Sequence, residues 1–75
     1  MDEARLATLI KIEPILQFFR YDHLPPNLQG ASKPFADLAF ALMTLPRNSE
    51  RSESLRKLLE AKDAAVRALV FRAPL

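Results

Sequence analysis

Apolar positions fall at helical spacing in three stretches of the chain, separated by proline-rich or polar breaks. The first stretch holds Leu6, Leu9, Ile10, Ile12, Ile15, Leu16, Phe18 and Phe19. These positions cover more than one face, so the pattern predicts a helix over about 3–19 that is covered on several sides rather than wet on one. A start near Asp2 or Glu3 places an acid at the positive end of the helix dipole. Pro14 either kinks this helix or opens a second turn segment, and it pushes Glu13 away from helical geometry.

The corner from Arg20 to Pro25 ends the first helix, and Pro26 suits the first position of the next. From there Leu28, Ala31, Phe35, Leu38, Leu42 and Leu45 alternate steps of three and four, the spacing of a packed seam. The seam crosses Gly30 and Pro34, both poor helix residues. Two readings fit: a fresh helix capped by Ser32 with Pro34 in its first turn, or one long helix kinked at Pro34. The unbroken seam favours the long helix, over about 26–45. Pro46 stops it, and Pro46-Arg47-Asn48-Ser49 reads as a tight connection with Asn48 or Ser49 as the next N-cap.

The third helix runs over about 49–71, with Leu55, Leu58, Leu59, Lys62, Ala65, Val66 and Leu69 on its inner face. Glu53→Lys57, Arg56→Glu60 and Asp63→Arg67 are four-residue pairs that support it by roughly 0.2–0.5 kcal/mol each. The tail Ala73-Pro74-Leu75 reads as frayed. The prediction is therefore all-α: one domain over 1–75, an antiparallel hairpin of the second and third helices with a short N-terminal helix laid across it or across a neighbour.

Composition adds an expectation of assembly. A chain of 75 residues has room for one small core, and no cysteine is present to staple it. One histidine and no cysteine exclude the usual structural zinc sites. With 49% hydrophobic residues, some apolar surface is expected to lie between subunits, which predicts a compact homo-oligomer. Eleven cations and nine acids leave a net charge of +2, and the two signs are interleaved, which argues against DNA or RNA polymers as partners. Met1-Asp2-Glu3-Ala4-Arg5 does not resemble a signal peptide, and no apolar run approaches a membrane span.

Enzymatic chemistry finds little to work with. His23 is the one general base of ordinary pKa, and as a corner residue it more often serves structure. No serine sits in a nucleophile elbow, and no carboxylate pair shares a helix face; Glu50 and Glu53 flank a helix start, where acids serve the dipole. A single glycine rules out a glycine-rich phosphate loop. Catalytic residues, metal and cofactor are all expected to be absent. The chemistry that remains lies in Phe18-Phe19-Arg20-Tyr21-Asp22-His23-Leu24-Pro25-Pro26 and Ser32-Lys33-Pro34-Phe35. Aromatic faces beside cations suit a flat anionic ligand, because bases stack and phosphates pair. Ser32 and Lys33 offer a phosphate a hydroxyl and an ammonium, and Arg20 a guanidinium. Each of these residues also has a structural reading: Phe18, Phe19 and Tyr21 as core, Lys33 and Arg20 as solvated surface.

The runs Phe19 to Pro26, Ser32 to Ala39, Leu45 to Arg51 and Leu55 to Ala68 resemble the helical-hairpin domain of phage-encoded cyclic-oligonucleotide sponges. Members of that family defeat CBASS-type and Thoeris-type bacterial immunity by sequestering the signalling nucleotide. The resemblance implies a homohexamer in the host bacterial cytoplasm, with intersubunit pockets for cyclic dinucleotides such as cyclic GMP–AMP. In some members it implies further pockets for cyclic trinucleotides. The family's Tyr-His-x-Pro-like corner falls on Tyr21, His23 and Pro25, its pocket aromatic on Phe18 or Tyr21, and its pocket lysine on Lys33. The arginine of the second site falls on Arg56 or Arg67. Asp22 separates Tyr21 from His23, which are adjacent in the family pattern, and Lys62, Asp63 and Val66 replace its late tryptophan and asparagine. The other reading of the chain is a small structural or adaptor oligomer of a phage, without a nucleotide ligand.

Overall fold

A computed structural model describes residues 3–71; the tail read as frayed lies outside the described residues. Every regular element of the described chain is helical, with no strand: α1 (Glu3–Ile12), a 3₁₀ helix (Pro14–Phe19), α2 (Pro26–Leu42) and α3 (Ser49–Val70). The first predicted helix is thus two. Glu13 takes an extended conformation, φ −130° and ψ 91°, as the residue before a proline is pushed to do. Pro14 then opens a 3₁₀ turn instead of resuming the α-helix, and Leu16 and Phe19, three residues apart, both point into the core.

α2 runs unbroken through Pro34, so the long-helix reading holds. It stops at Leu42 rather than 45. Met43, Thr44 and Leu45 instead donate to the carbonyls three residues back, a tightened exit before Pro46. Asn48 caps α3, its side-chain oxygen accepting from the Arg51 amide at 2.9 Å. α3 folds back along α2 and also packs on the 3₁₀ helix, whereas α1 packs on the 3₁₀ helix alone.

The buried stripe of α2 differs from the predicted seam. Ser32, Ala36 and Ala39 face inward, at most 1% exposed, while Leu38 and Leu45 are about half exposed. α2 carries two apolar stripes, and periodicity does not say which turns in. The stripe of small residues wins because it lets Leu16, Phe19 and Leu55 close against the α2 backbone. On α3 the expected inner position Leu69 is 52% exposed, because inward packing stops at Val66. The expected pairs Arg56–Glu60 and Asp63–Arg67 do not form among the described residues; Glu53 pairs with both Arg56 and Lys57, at 3.0 and 3.3 Å.

One ion pair crosses the fold. Arg51 Nη2 donates to Glu13 Oε1 at 3.0 Å, and Arg51 Nη1 donates to the Leu45 carbonyl at 3.0 Å, with a longer contact to Met43. The pair is almost fully buried and ties the break after α1 to the turn between α2 and α3. No described helix is long and apolar enough to cross a membrane.

Candidate functional site

The 3₁₀ repeat that sends Leu16 and Phe19 inward leaves Gln17 and Phe18 facing out. Beyond them the chain turns a corner closed by the Leu24 amide donating to the Tyr21 carbonyl at 3.0 Å. Gln29 Nε2 donates to the Leu24 carbonyl at 2.7 Å and fixes that corner to the start of α2. Between the corner and α3 lies a cleft of about 380 Å³, lined by Gln17, Phe18, Arg20, His23, Leu24, Leu59, Lys62 and Asp63. Its size falls within the range of small-molecule sites.

Phe18 is 56% exposed, a large aromatic face left open beside the cleft. Lys62, by contrast, is nearly covered: its Nζ donates to the Phe18 carbonyl at 2.8 Å and contacts Asp63 Oδ1 at 3.2 Å. Arg20 is shared between Glu3, at 3.3 Å, and Asp22, at 3.5 Å. His23 is exposed, with Nδ1 3.9 Å from Asp22. One aromatic face, two permanent cations and a histidine therefore surround an open, partly apolar hollow. Such a hollow can stack a ring and pair an anion; it offers no nucleophile held against a base.

The residues expected at the site do not all meet there. Phe18 and His23 share the cleft. Tyr21 lies on the other side of Arg20, in a smaller hollow of about 120 Å³ with Glu3, Leu6 and Asp22. Lys33 is on the exposed face of α2, bonded to Asp37 at 2.9 Å. That hydrogen bond, and then the Asp37 charge, raise its pKa above the ordinary lysine value, with a smaller contribution from Tyr21. Ser32 corrects the expectation that it would share a phosphate with Lys33. It is 1% exposed, because consecutive residues of a helix diverge by about 100° and Lys33 takes the outer face. Arg56 and Arg67 are exposed on α3, Arg56 pairing with Glu53. Helical spacing sets Arg56 about two turns before Asp63 and Arg67 about one turn after it, on the same side of α3, and neither lines the cleft.

Lys62 is a cleft residue that the pattern of the chain hides, because its spacing sets it on the inner face of α3. Its signal was its company: a lone cation on a stripe of Leu55, Leu58, Leu59 and Val66 needs a polar partner inside. Compared with protein-family models, curated proteins and solved structures, the chain matches none.

Proposed function

We propose that this chain binds cyclic oligonucleotides, cyclic dinucleotides such as cyclic GMP–AMP first among them, and sequesters them without cleavage. On this reading it is a phage anti-defence protein of the host bacterial cytoplasm. The observation that carries the reading is the cleft, where the open ring of Phe18 stands beside Lys62, Arg20 and His23. Base stacking on such a ring is worth roughly 1–3 kcal/mol per base, and cations at the rim pair with phosphates. Sequestration needs no nucleophile or metal, only rigid faces and enclosure. The cleft is open on one side, and a second copy of the chain is the proposed cover, within a homohexamer. Tyr21 belongs in this scheme to the neighbouring face, Lys33 stands outside the cleft on the outer face of α2, and Arg56 and Arg67 belong to a flanking contact or a separate trinucleotide site.

Calorimetry with cyclic GMP–AMP and cyclic triadenylate, followed by recovery of the ligand after denaturation, tests the reading. Heat on binding and intact ligand on recovery are expected. Absence of heat with any cyclic nucleotide sinks binding; linear product sinks sequestration. The half-exposed Leu38, Leu45 and Leu69 favour a second reading, a structural or adaptor oligomer of a phage in which these faces serve assembly alone. Phe18→Ala separates the two: loss of ligand with the assembly intact supports a pocket, and dissociation into single chains supports an interface.

A further inference from the structure

Resting on the reading above, we propose that Lys62, and not Lys33, is the cation that takes the phosphate of the bound nucleotide, and that Asp63 holds its place until the ligand arrives. The two lysines differ in what surrounds them. Lys33 is 58% exposed and spends itself on Asp37, away from the cleft. Lys62 is 13% exposed and lines the cleft, among Phe18, Leu24 and Leu59. A charge with so little water around it interacts more strongly with an anion than one on the open surface.

The donor count gives Lys62 its role. An ammonium has three N–H donors. One is committed to the Phe18 carbonyl at 2.8 Å, which ties the head group, at the end of the 3₁₀ helix, to the backbone of the residue whose ring is exposed. A second meets Asp63 at 3.2 Å. The third has no acceptor among the described residues. Asp63 is 48% exposed at the same rim and lines the same cleft. An entering phosphate competes with this carboxylate for the ammonium and is repelled by it. The anchor to Phe18 stays in place, so ring and cation are held at a fixed separation, as a base and its phosphate require. Recognition is therefore of an anionic phosphate joined to a flat ring, and the Asp63 carboxylate lowers affinity for anions that bring no ring to stack.

This arrangement predicts variants of opposite sign. The full chain is titrated calorimetrically with cyclic GMP–AMP, and the melting temperature of each variant is recorded alongside. Lys62→Gln is expected to weaken binding by about ten- to a hundredfold, the range for losing a charged hydrogen-bond partner. Asp63→Asn is expected to tighten it, by about threefold or more at low salt, since it removes the competitor and leaves the Phe18 anchor intact. Asp37→Asn makes the same change of net charge beside Lys33 and is expected to leave affinity unchanged. Because Lys62→Gln also removes a hydrogen bond from the fold, Asp63→Asn carries the test if that variant does not fold. Binding by the parent chain with no tightening in Asp63→Asn, or with tightening in Asp37→Asn instead, overturns the assignment to Lys62 and leaves the functional reading standing. No binding by the parent chain overturns both.

Discussion

Arg51 and Glu13 meet across 38 positions of the chain, and that distance is why the pair was invisible in the sequence. Arg51 stands there as a charge in the first turn of α3 with no marked partner, and Glu13 as a residue displaced by Pro14. The displacement was legible; the partner was not, because local spacing contains no information about which turn lies opposite. Breaking a buried pair leaves an uncompensated charge, so Glu13→Ala or Arg51→Ala is expected to cost about 3–5 kcal/mol in urea denaturation. The double replacement Glu13→Leu with Arg51→Met should recover most of that loss; a double variant as unstable as the singles would show that the arginine's bonds to the α2–α3 turn matter more than the pair. Ser32 gives the opposite expectation. Its hydroxyl is buried with no hydrogen-bond partner among the described residues, so Ser32→Ala should raise stability by about 1 kcal/mol and leave nucleotide affinity unchanged. Lys33 illustrates the sign of a raised pKa. Its pair with Asp37 is present throughout neutral pH and fades only as alkaline titration passes the raised value, above that of an ordinary lysine.

At the scale of elements, the punctuation of the chain was readable and its faces were not. Pro14, Pro26 and Pro46 sit at an element start or just past an element end, and Asn48 caps α3, each for a local reason that a sequence displays. The 3₁₀ helix and the inward face of α2 follow instead from packing: Ser32, Ala36 and Ala39 are chosen by how closely Leu16, Phe19 and Leu55 approach. Gly30 offers a test within α2. A β-carbon there meets nothing within 4 Å, and no glycine of the described chain has positive φ. Gly30→Ala is accordingly expected to stabilise the helix by about 0.5–1 kcal/mol, read as a rise in thermal midpoint. If the variant is more stable but assembles less well, another chain lies against that position.

Over the whole molecule, the slab measures 47 × 26 × 15 Å, with a radius of gyration of 13.4 Å. A compact domain of this length would have about 11 Å. The excess reflects reach: α3 is about 33 Å long and α2 about 25 Å, so Leu69, Val70 and Phe71 lie at a projecting end, each more than half exposed. The expectation of assembly drawn from composition meets this geometry at one point, since apolar side chains on a projecting end suit burial against a second copy. Native mass measurement is expected to give a multiple of the 8.5 kDa chain, and Leu69→Glu to shift it toward the single chain. A parent chain that is monomeric at every concentration would refute assembly. Part of the cleft, Phe18, Arg20 and His23, was readable as aromatic, guanidinium and imidazole at a proline corner. Lys62 and Asp63 were not, because they arrive from α3, some forty residues away, only once the hairpin closes.

The contact of α1 with the 3₁₀ helix alone has a consequence in time. α1 is held by Leu6, 2% exposed, by Leu9 and Ile10, half-buried against the core, and by the exposed bridge from Glu3 to Arg20. Its opening need not disturb the interface of α2 with α3, so it is a candidate for a separate cooperative unit. In deuterium exchange the α1 amides should therefore label well before those near Leu55, and added salt, by screening the bridge, should widen the gap. A ligand in the cleft should slow exchange around Phe18 and Lys62 while leaving α1 to label at its own pace.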